Sequence, residues 1–264
     1  RNKVSAEINA AKKAGKDAAA IIAEAAEIPK VIAEAEKQLV ALEAHIKAGM
    51  YKIPNLMHDS VPYGKDDTEN AVVKLFGKMP TFDFTLKSHV DLLADNDWAD
   101  LERAAKISGG RWYFLKGDLA LLEMAVTRYA VDFMRAKGYT LVIPPYMMGK
   151  KAYEGVTSLG DFQDALYKID GEDSFAISTS EHPLTAMHMD EVLDEKQLPL
   201  KLVGVSSCFR KEAGAHGKDQ KGIFRVHQFT KVEQIILCKP EDSWTWHEEL
   251  LKNAEEFFTS LGLH

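Results

Sequence analysis

The sequence predicts an α+β fold: a helical hairpin arm followed by a body in which helices accompany a β-sheet. Three stretches carry that prediction. Residues 1–48 are rich in Ala, Lys and Glu, hold one proline and no aromatic residue, and repeat apolar side chains at spacings of three and four. Residues 119–137 are amphipathic at helical spacing and lead, after Gly138, into a strand-like run at 139–143. Residues 203–238 read as two β-strands around a loop rich in Gly and Lys.

In the arm, Ile28, Ile32, Ala35, Leu39, Leu42 and Ile46 keep a heptad rhythm, and Val4, Ile8 and Ala11 keep it before the break at Gly15-Lys16-Asp17. Two helices joined by a short turn fit this spacing, an antiparallel coiled-coil hairpin over residues 1–50. The first helix starts at Arg1 without a cap and is too short to cover its partner, so the chain is expected to be truncated at its start. Such an arm serves as a structural or dimerising coiled coil or, alternatively, binds RNA. In residues 1–16 Arg1, Lys3, Lys12, Lys13 and Lys16 stand against Glu7 alone, which would suit phosphates. Residues 51–80 are expected to be a linker, because 53–77 carry two prolines, turn residues and no helical period.

The globular body is expected over residues 81–264. Residues 91–106 read as a helix with Leu92, Leu93, Trp98 and Leu101 in the core. Residues 119–137 read as another, burying Leu122, Val126, Tyr129, Ala130 and Phe133. Gly138 stops that helix, and Pro144-Pro145 end the strand that follows. Residues 156–167 read as a polar loop. In F-A-I-S-T-S-E-H-P (175–183), Ser178-x-x-Glu181 matches a capping box for a helix starting near Pro183. Residues 244–261 form the last helix, closed by Gly262.

Composition narrows the function classes. The chain of 264 residues is long enough for one large domain or two modest ones, and its net charge of −7 argues against a generally basic nucleic-acid coat. No apolar run approaches a membrane span and no signal peptide is visible, so a soluble, cytoplasmic protein with no membrane or DNA partner is expected. Cys208 and Cys238 lie in apolar strand contexts without a C-x-x-C pair, which predicts buried free thiols and no structural zinc. His182, His188, His216 and His227 lack the paired carboxylates or i, i+4 companions of a metal or catalytic cluster, and read as structural or solvent-facing.

The strand pair holds the chemistry. Residues 203–210 are apolar and β-branched; residues 224–238 alternate and then become continuously apolar. Alternation would put Arg225, Phe229 and Glu233 on one face of the second strand, and Arg210 and Glu212 on one face of the first. In an extended strand Arg225 and Phe229 stand roughly 13 Å apart, about the length of an extended nucleoside triphosphate. A guanidinium grips phosphate oxygens, an aromatic face stacks on a purine, and a carboxylate accepts from amino groups. The same pattern, taken alone, also fits a solvated surface hairpin.

The literal string F-R-K-E-A-G-A-H-G-K-D-Q-K-G-I-F-R-V-H-Q-F-T-K-V-E resembles motif 2 of class II aminoacyl-tRNA synthetases, in the form found in seryl-tRNA synthetases. Other segments are similar to the same family. The helix, strand and Pro145 resemble motif 1, which forms the dimer interface there. The arm resembles the family's tRNA-binding coiled coil, and I-P-N and V-P-Y-G-K-D its linker. V-T-S-L-G-D-F-Q-D-A-L-Y resembles its mobile loop, and T-S-E (179–181) its serine-contacting T-x-E segment.

The resemblance implies an antiparallel β-sheet flanked by helices, and a homodimer that uses ATP with Mg²⁺, L-serine and serine tRNA. By motif position Arg210 would be catalytic, holding the α-phosphate and the serine carboxylate. Glu212 would accept from the adenine amino group, Phe229 would stack on the ring, and Arg225 would bind the outer phosphates. Thr179 and Glu181 would bind the serine ammonium, and Glu233 its side chain or ammonium. The basic residues of the arm would reach towards the tRNA's long variable arm. The family's motif 3 and its acidic Mg²⁺ ligands have no counterpart here, so these 264 residues are expected to lack full activity by themselves. One alternative is a non-catalytic synthetase-like protein that binds tRNA or protein; the intact ATP-site residues argue against it. Another is a class II ligase for a different amino acid or for a carrier protein, which the arm argues against.

Overall fold

The computed structural model describes residues 2–212 and 221–263, and the chain divides into two compact units between Asn70 and Ala71. In the first unit α1 (Asn2–Lys13) and α2 (Ala19–Met50) form the hairpin. Gly15, at φ 67°, lies in the connection, and the Asp17 carboxylate accepts from the Ala19 amide at 2.9 Å where α2 begins. Val4, Ile8 and Ala11 are half-buried, as are Ile21, Ala25 and Ile28 of α2, so the heptad seam faces inward over this length. The 12 residues of α1 rise about 18 Å and the 32 of α2 about 48 Å, and Leu39, Leu42 and Ile46 stay exposed. Lys3, Lys12, Lys13 and Lys16 are exposed; Arg1 lies outside the described residues. Residues 51–66 are irregular, and Asp66 caps a single 3₁₀ turn (Asp67–Glu69) by accepting from the Thr68 amide.

The second unit opens with α3 (His89–Asp95), β1 (Ala99–Asp100), α4 (Leu101–Ser108) and β2 (Phe114–Leu115). The continuous helix expected over 91–106 is broken. Asp97 takes φ 53°, a left-handed conformation that Asp tolerates, and Ala99-Asp100 pair antiparallel with Phe114-Leu115. Asp100 then caps α4 through the Arg103 amide at 2.8 Å. Leu93 is buried as expected, but Leu92 is exposed.

Next come α5 (Gly117–Ala136), β3 (Thr140–Val142), β4 (Met147–Gly149), α6 (Lys150–Glu154), α7 (Leu159–Phe162), β5 (Ser174–Ala176) and α8 (Glu181–Ala186). The unit closes with β6 (Leu200–Phe209), β7 (Gln228–Leu237) and α9 (Ser243–Ser260). The main sheet has the order β3-β6-β7, with β6 and β7 antiparallel over ten residue pairs and β3 parallel to β6. Its two faces are built differently. On one, Met134 of α5 and Leu250 of α9 pack with Tyr139, Val203, Val232 and Ile236. On the other lies α8. A second cluster of Met148, Tyr153, Leu159, Leu166, Phe175 and Ile177 holds β4, α6, α7 and β5 together.

Several expectations change in this unit. The buried residues of α5 are Val131 and Met134, whereas Leu122, Val126 and Tyr129 are exposed. The helix is apolar on more than one side, so periodicity alone set its phase wrongly. Residues 156–167 are not a plain polar loop: α7 and a 3₁₀ turn (Gln163–Ala165) form there, and Leu159 and Leu166 are buried. The second strand of the pair begins at Gln228 rather than 224, so the extended spacing from Arg225 to Phe229 does not apply. The His227 amide donates to the Arg111 carbonyl at 3.1 Å, and Glu212 turns at φ 51°, which ends regular pairing just past Arg210.

Gly204 of β6 sits opposite Glu233 of β7, on the α8 face. A Cβ placed on Gly204 would lie 2.7 Å from Ser180 Oγ, 2.9 Å from Ser180 Cβ and 3.0 Å from Leu184 Cδ2. The bare glycine is what lets the start of α8 settle onto the sheet. Gly204→Ala should therefore lower stability by about 1–3 kcal/mol, read as an earlier thermal or urea transition. An unchanged or later transition would contradict this packing.

Candidate functional site

Alternation along β6 and β7 aims Gly204, Cys208, Phe229, Lys231 and Glu233 at the α8 face, and the pairing carries on to Arg210 and His227, whose backbones bond at 2.9 Å. The Arg210 guanidinium lies over the Phe229 ring at 5.1 Å, and its Nε donates to the Ser178 carbonyl at 3.2 Å. Arg210 is thereby fixed between two cavities. The larger, about 630 Å³, is lined by Glu212, Arg225, Val226 and Phe229, with Leu119, Leu122 and Val126 of α5 along one wall. The smaller, about 350 Å³, is lined by Thr157, Ser178, Thr179, Glu181 and His182. Arg210 belongs to both.

The larger cavity gathers the four residues expected to hold a nucleotide. Phe229 offers a ring face already covered on one part by a guanidinium, and Arg225 and Glu212 form an ion pair at 3.2 Å. Glu212 is held from behind: the Arg111 guanidinium donates to its carbonyl at 3.0 Å. Trp112 packs against His227 with ring centroids 5.5 Å apart. Arg111 and Trp112 were not visible as site residues in the sequence, because their partners lie more than a hundred residues away.

The smaller cavity is organised by Glu233. Its Oε2 accepts from the Thr179 hydroxyl at 2.5 Å, the Ser180 hydroxyl at 3.1 Å and the Glu181 amide at 3.1 Å, and its Oε1 accepts from Lys231 at 2.8 Å. This bridge does the work expected of a Ser178 capping box: α8 starts at Glu181, and its N-cap, Ser180, makes no side-chain cap bond of its own. Glu233 is thereby bonded to the 179–181 turn, and Thr179 and Glu181 line the cavity. Burial on its own would raise the Glu233 carboxyl, but the hydrogen bonds from Lys231 and Thr179 and the Lys231 charge outweigh it and hold the group below its ordinary 4.5.

Burial takes the His182 imidazole down from 6.5 to about 4, opposed by the Glu233 charge and reinforced by Lys231 and Arg210. It is half-buried and forms part of the cavity wall. His216 lies outside the described residues. Cys208 is buried and its thiol is raised by burial; Cys238 is half-buried, and both are free. Pro145 is exposed between β3 and β4. Among the described residues no three His, Cys, Asp or Glu side chains converge as metal donors, and no helix is long and apolar enough to cross a membrane.

Comparison with known proteins adds independent findings. Residues 1–57 match the seryl-tRNA synthetase N-terminal domain, and residues 166–264 match the class II tRNA synthetase core domain shared by the G, H, P, S and T enzymes. The serine–tRNA ligases of Methanocorpusculum labreanum and Methanoregula boonei are 56% and 55% identical over 263 residues, covering 100% of this chain and 62% of each relative. The crystal structure of seryl-tRNA synthetase from Pyrococcus horikoshii complexed with ATP superposes with a TM-score of 0.92 at 44% identity, over 98% of this chain and 62% of that one. The cytoplasmic serine–tRNA ligase of Naegleria fowleri in complex with AMP gives a TM-score of 0.83 at 36% identity, over 92% and 53%. The chain thus spans 62% of the length of the curated relatives named.

The Glu233 bridge has a defined pH signature. A carboxylate whose pKa is depressed on folding contributes stability that is present above its unfolded value and lost as pH falls through the folded value. The stability difference between wild type and Glu233→Gln should therefore be constant above about pH 5 and shrink as pH drops below 4.5. Chemical denaturation across pH 3–7 reads this; a difference that grew on acidification would contradict the assignment.

Proposed function

Carrying the N-terminal domain and part of the catalytic core of the seryl-tRNA synthetases, the chain belongs to that family, and from that premise we propose that it activates L-serine with ATP and passes the seryl group to serine tRNA. The observation that carries this reading is the position of Arg210, shared between a cavity suited to a nucleotide and one suited to a small amino acid. An amino acid carboxylate attacking an α-phosphate must meet it at such a junction.

The chemistry needs no covalent nucleophile on the protein. A serine carboxylate oxygen forms a bond to the α-phosphorus in line, the bond from that phosphorus to the bridging oxygen breaks, and pyrophosphate leaves with the electron pair. Arg210 is positioned to neutralise both reacting anions and hold them together. On this reading adenine stacks on Phe229 and donates its amino hydrogens to Glu212, while Arg225 exchanges its ion pair for the outer phosphates. Thr179 and Glu181 take the serine ammonium, and Glu233, bonded to the Thr179 hydroxyl and the Glu181 amide, meets the serine side chain or ammonium. Magnesium would arrive with ATP as counter-ion to its phosphates; with no converging donor set among the described residues, it is assigned no ligand on this chain.

The exposed lysines of α1, namely Lys3, Lys12 and Lys13, together with Lys16 in the turn, fit the phosphate backbone of the tRNA. A homodimer would use Pro145 together with exposed apolar residues such as Leu121, Met124 and Ile143. The reading places the protein in the cytoplasm.

Calorimetry on the 264-residue chain separates the two cavities. Phe229→Ala should weaken ATP about tenfold to a hundredfold, the worth of a lost base–aromatic stack, and leave serine affinity unchanged. Arg210→Ala should weaken both ligands. Loss of ATP alone in Arg210→Ala would remove the junction role on which the reading stands.

A further inference from the structure

We propose that Arg111 is a positioning residue for base selection: it holds Glu212 in place at the larger cavity and thereby sets the preference for a base that carries an amino group. This rests on the nucleotide reading of that cavity and extends it to a residue outside the segments that resemble the synthetases.

Glu212 needs such a support. β6 ends at Phe209 and β7 begins at Gln228, so regular pairing has ended before Glu212 is reached. Its φ of 51° is left-handed, a conformation that an L-residue keeps only where surrounding contacts impose it. Two backbone bonds do so. The Lys211 amide donates to the Ala165 carbonyl at 2.9 Å, and Arg111 Nη1 donates to the carbonyl of Glu212 itself at 3.0 Å. Side-chain rotamers follow the backbone, so the bonds that hold this φ also restrict where the carboxylate can stand.

Arg111 is well placed to do this. Its own φ is 62°, and its carbonyl accepts from the His227 amide at 3.1 Å. One residue therefore bonds past the ends of both strands, to Glu212 through its guanidinium and to His227 through its backbone. The segment that carries it is anchored in turn. Phe114 and Leu115 pair with Asp100 and Ala99, and the Lys116 amide donates to the Trp98 carbonyl at 2.8 Å. Tyr113 and Leu115 line the same cavity as Glu212, so the support and part of the wall come from one stretch of chain.

The choice of atom matters. The Glu212 carboxylate is paired with Arg225 at 3.2 Å, and its side chain is only 14% exposed. When Arg225 turns to the outer phosphates, that carboxylate loses its tether and becomes free to accept from the base. The Arg111 bond is made to the carbonyl, so it is kept through this exchange and takes up neither carboxylate oxygen. A carboxylate held ready in a largely buried place discriminates against a base without the matching donor, because it is then left unpaired.

The test compares ATP with purine riboside triphosphate, which has hydrogen in place of the 6-amino group, by calorimetry on the 264-residue chain. Wild type should bind ATP at least about tenfold more tightly. Arg111→Met should weaken ATP at least about threefold and leave the analogue within about twofold, narrowing the ratio. A variant that keeps the wild-type ratio, or weakens both ligands by the same factor, gives Arg111 a structural role only and overturns the proposal. Should Arg111→Met fail to fold, Arg111→Gln decides: its amide stays polar but falls short of the Glu212 carbonyl, so the same narrowing is expected and an unchanged ratio overturns the proposal. A wild type that binds both ligands equally would overturn it too, while the nucleotide site stood. Binding of neither ligand would overturn the nucleotide reading itself, a distinct outcome.

Discussion

Four hydrogen bonds converge on the carboxylate of Glu233, and the architecture around the smaller cavity depends on them. One oxygen gathers Thr179, Ser180 and the Glu181 amide; the other holds Lys231. The arrangement is possible only because the residue opposite Glu233 on the neighbouring strand is Gly204, which leaves room for Ser180 to lie against the sheet. A β-strand carboxylate thus replaces the side-chain cap that α8 lacks and ties a short helix to the middle of the main sheet. Breaking such a half-buried network by removing one partner leaves the others unsatisfied, so its parts stand or fall together.

From that anchor the rest of the site follows by strand geometry. Residues two apart on a strand share a face, so fixing Glu233 also fixes Lys231 and Phe229 on the same side, and pairing with β6 brings Cys208 and then Arg210 beside them. Arg210 ends up over Phe229 and bonded to Ser178, the residue just before the turn that Glu233 holds. One guanidinium is therefore positioned from both cavities at once, as joining a phosphate to a carboxylate would require. Beyond the strand ends, Arg111 donates to the Glu212 carbonyl and Trp112 packs against His227.

How much of this the sequence disclosed depended on the range of the interaction. The hairpin, β6, β7 and α9 follow from local periodicity, since Val4, Ile8 and Ala11 or the apolar run 235–238 state their environment directly. The resemblance at 209–233 named Arg210, Glu212, Arg225 and Phe229 as a group, and they do line one cavity. What stayed hidden depended on long-range contacts or on backbone conformation. The bond between Thr179 and Glu233 spans 54 residues, and that between Arg111 and Glu212 spans 101. The break at Asp97 rests on a left-handed residue that a helical pattern does not reveal. In α5 apolar residues occur nearly all round, so the pattern established a helix but not which side is buried. Gly204 did carry a legible signal, a lone glycine within a strand, which marks a close approach.

A crystal structure of the chain with a non-hydrolysable seryl-adenylate analogue tests the central claim most directly. The expected result places the adenine ring on Phe229 in the larger cavity, the seryl group beside Thr179 and Glu181 in the smaller, and the phosphate mimic at Arg210 between them. An analogue bound with its phosphate mimic away from Arg210, or with the seryl group outside the cavity that Glu233 supports, would contradict it.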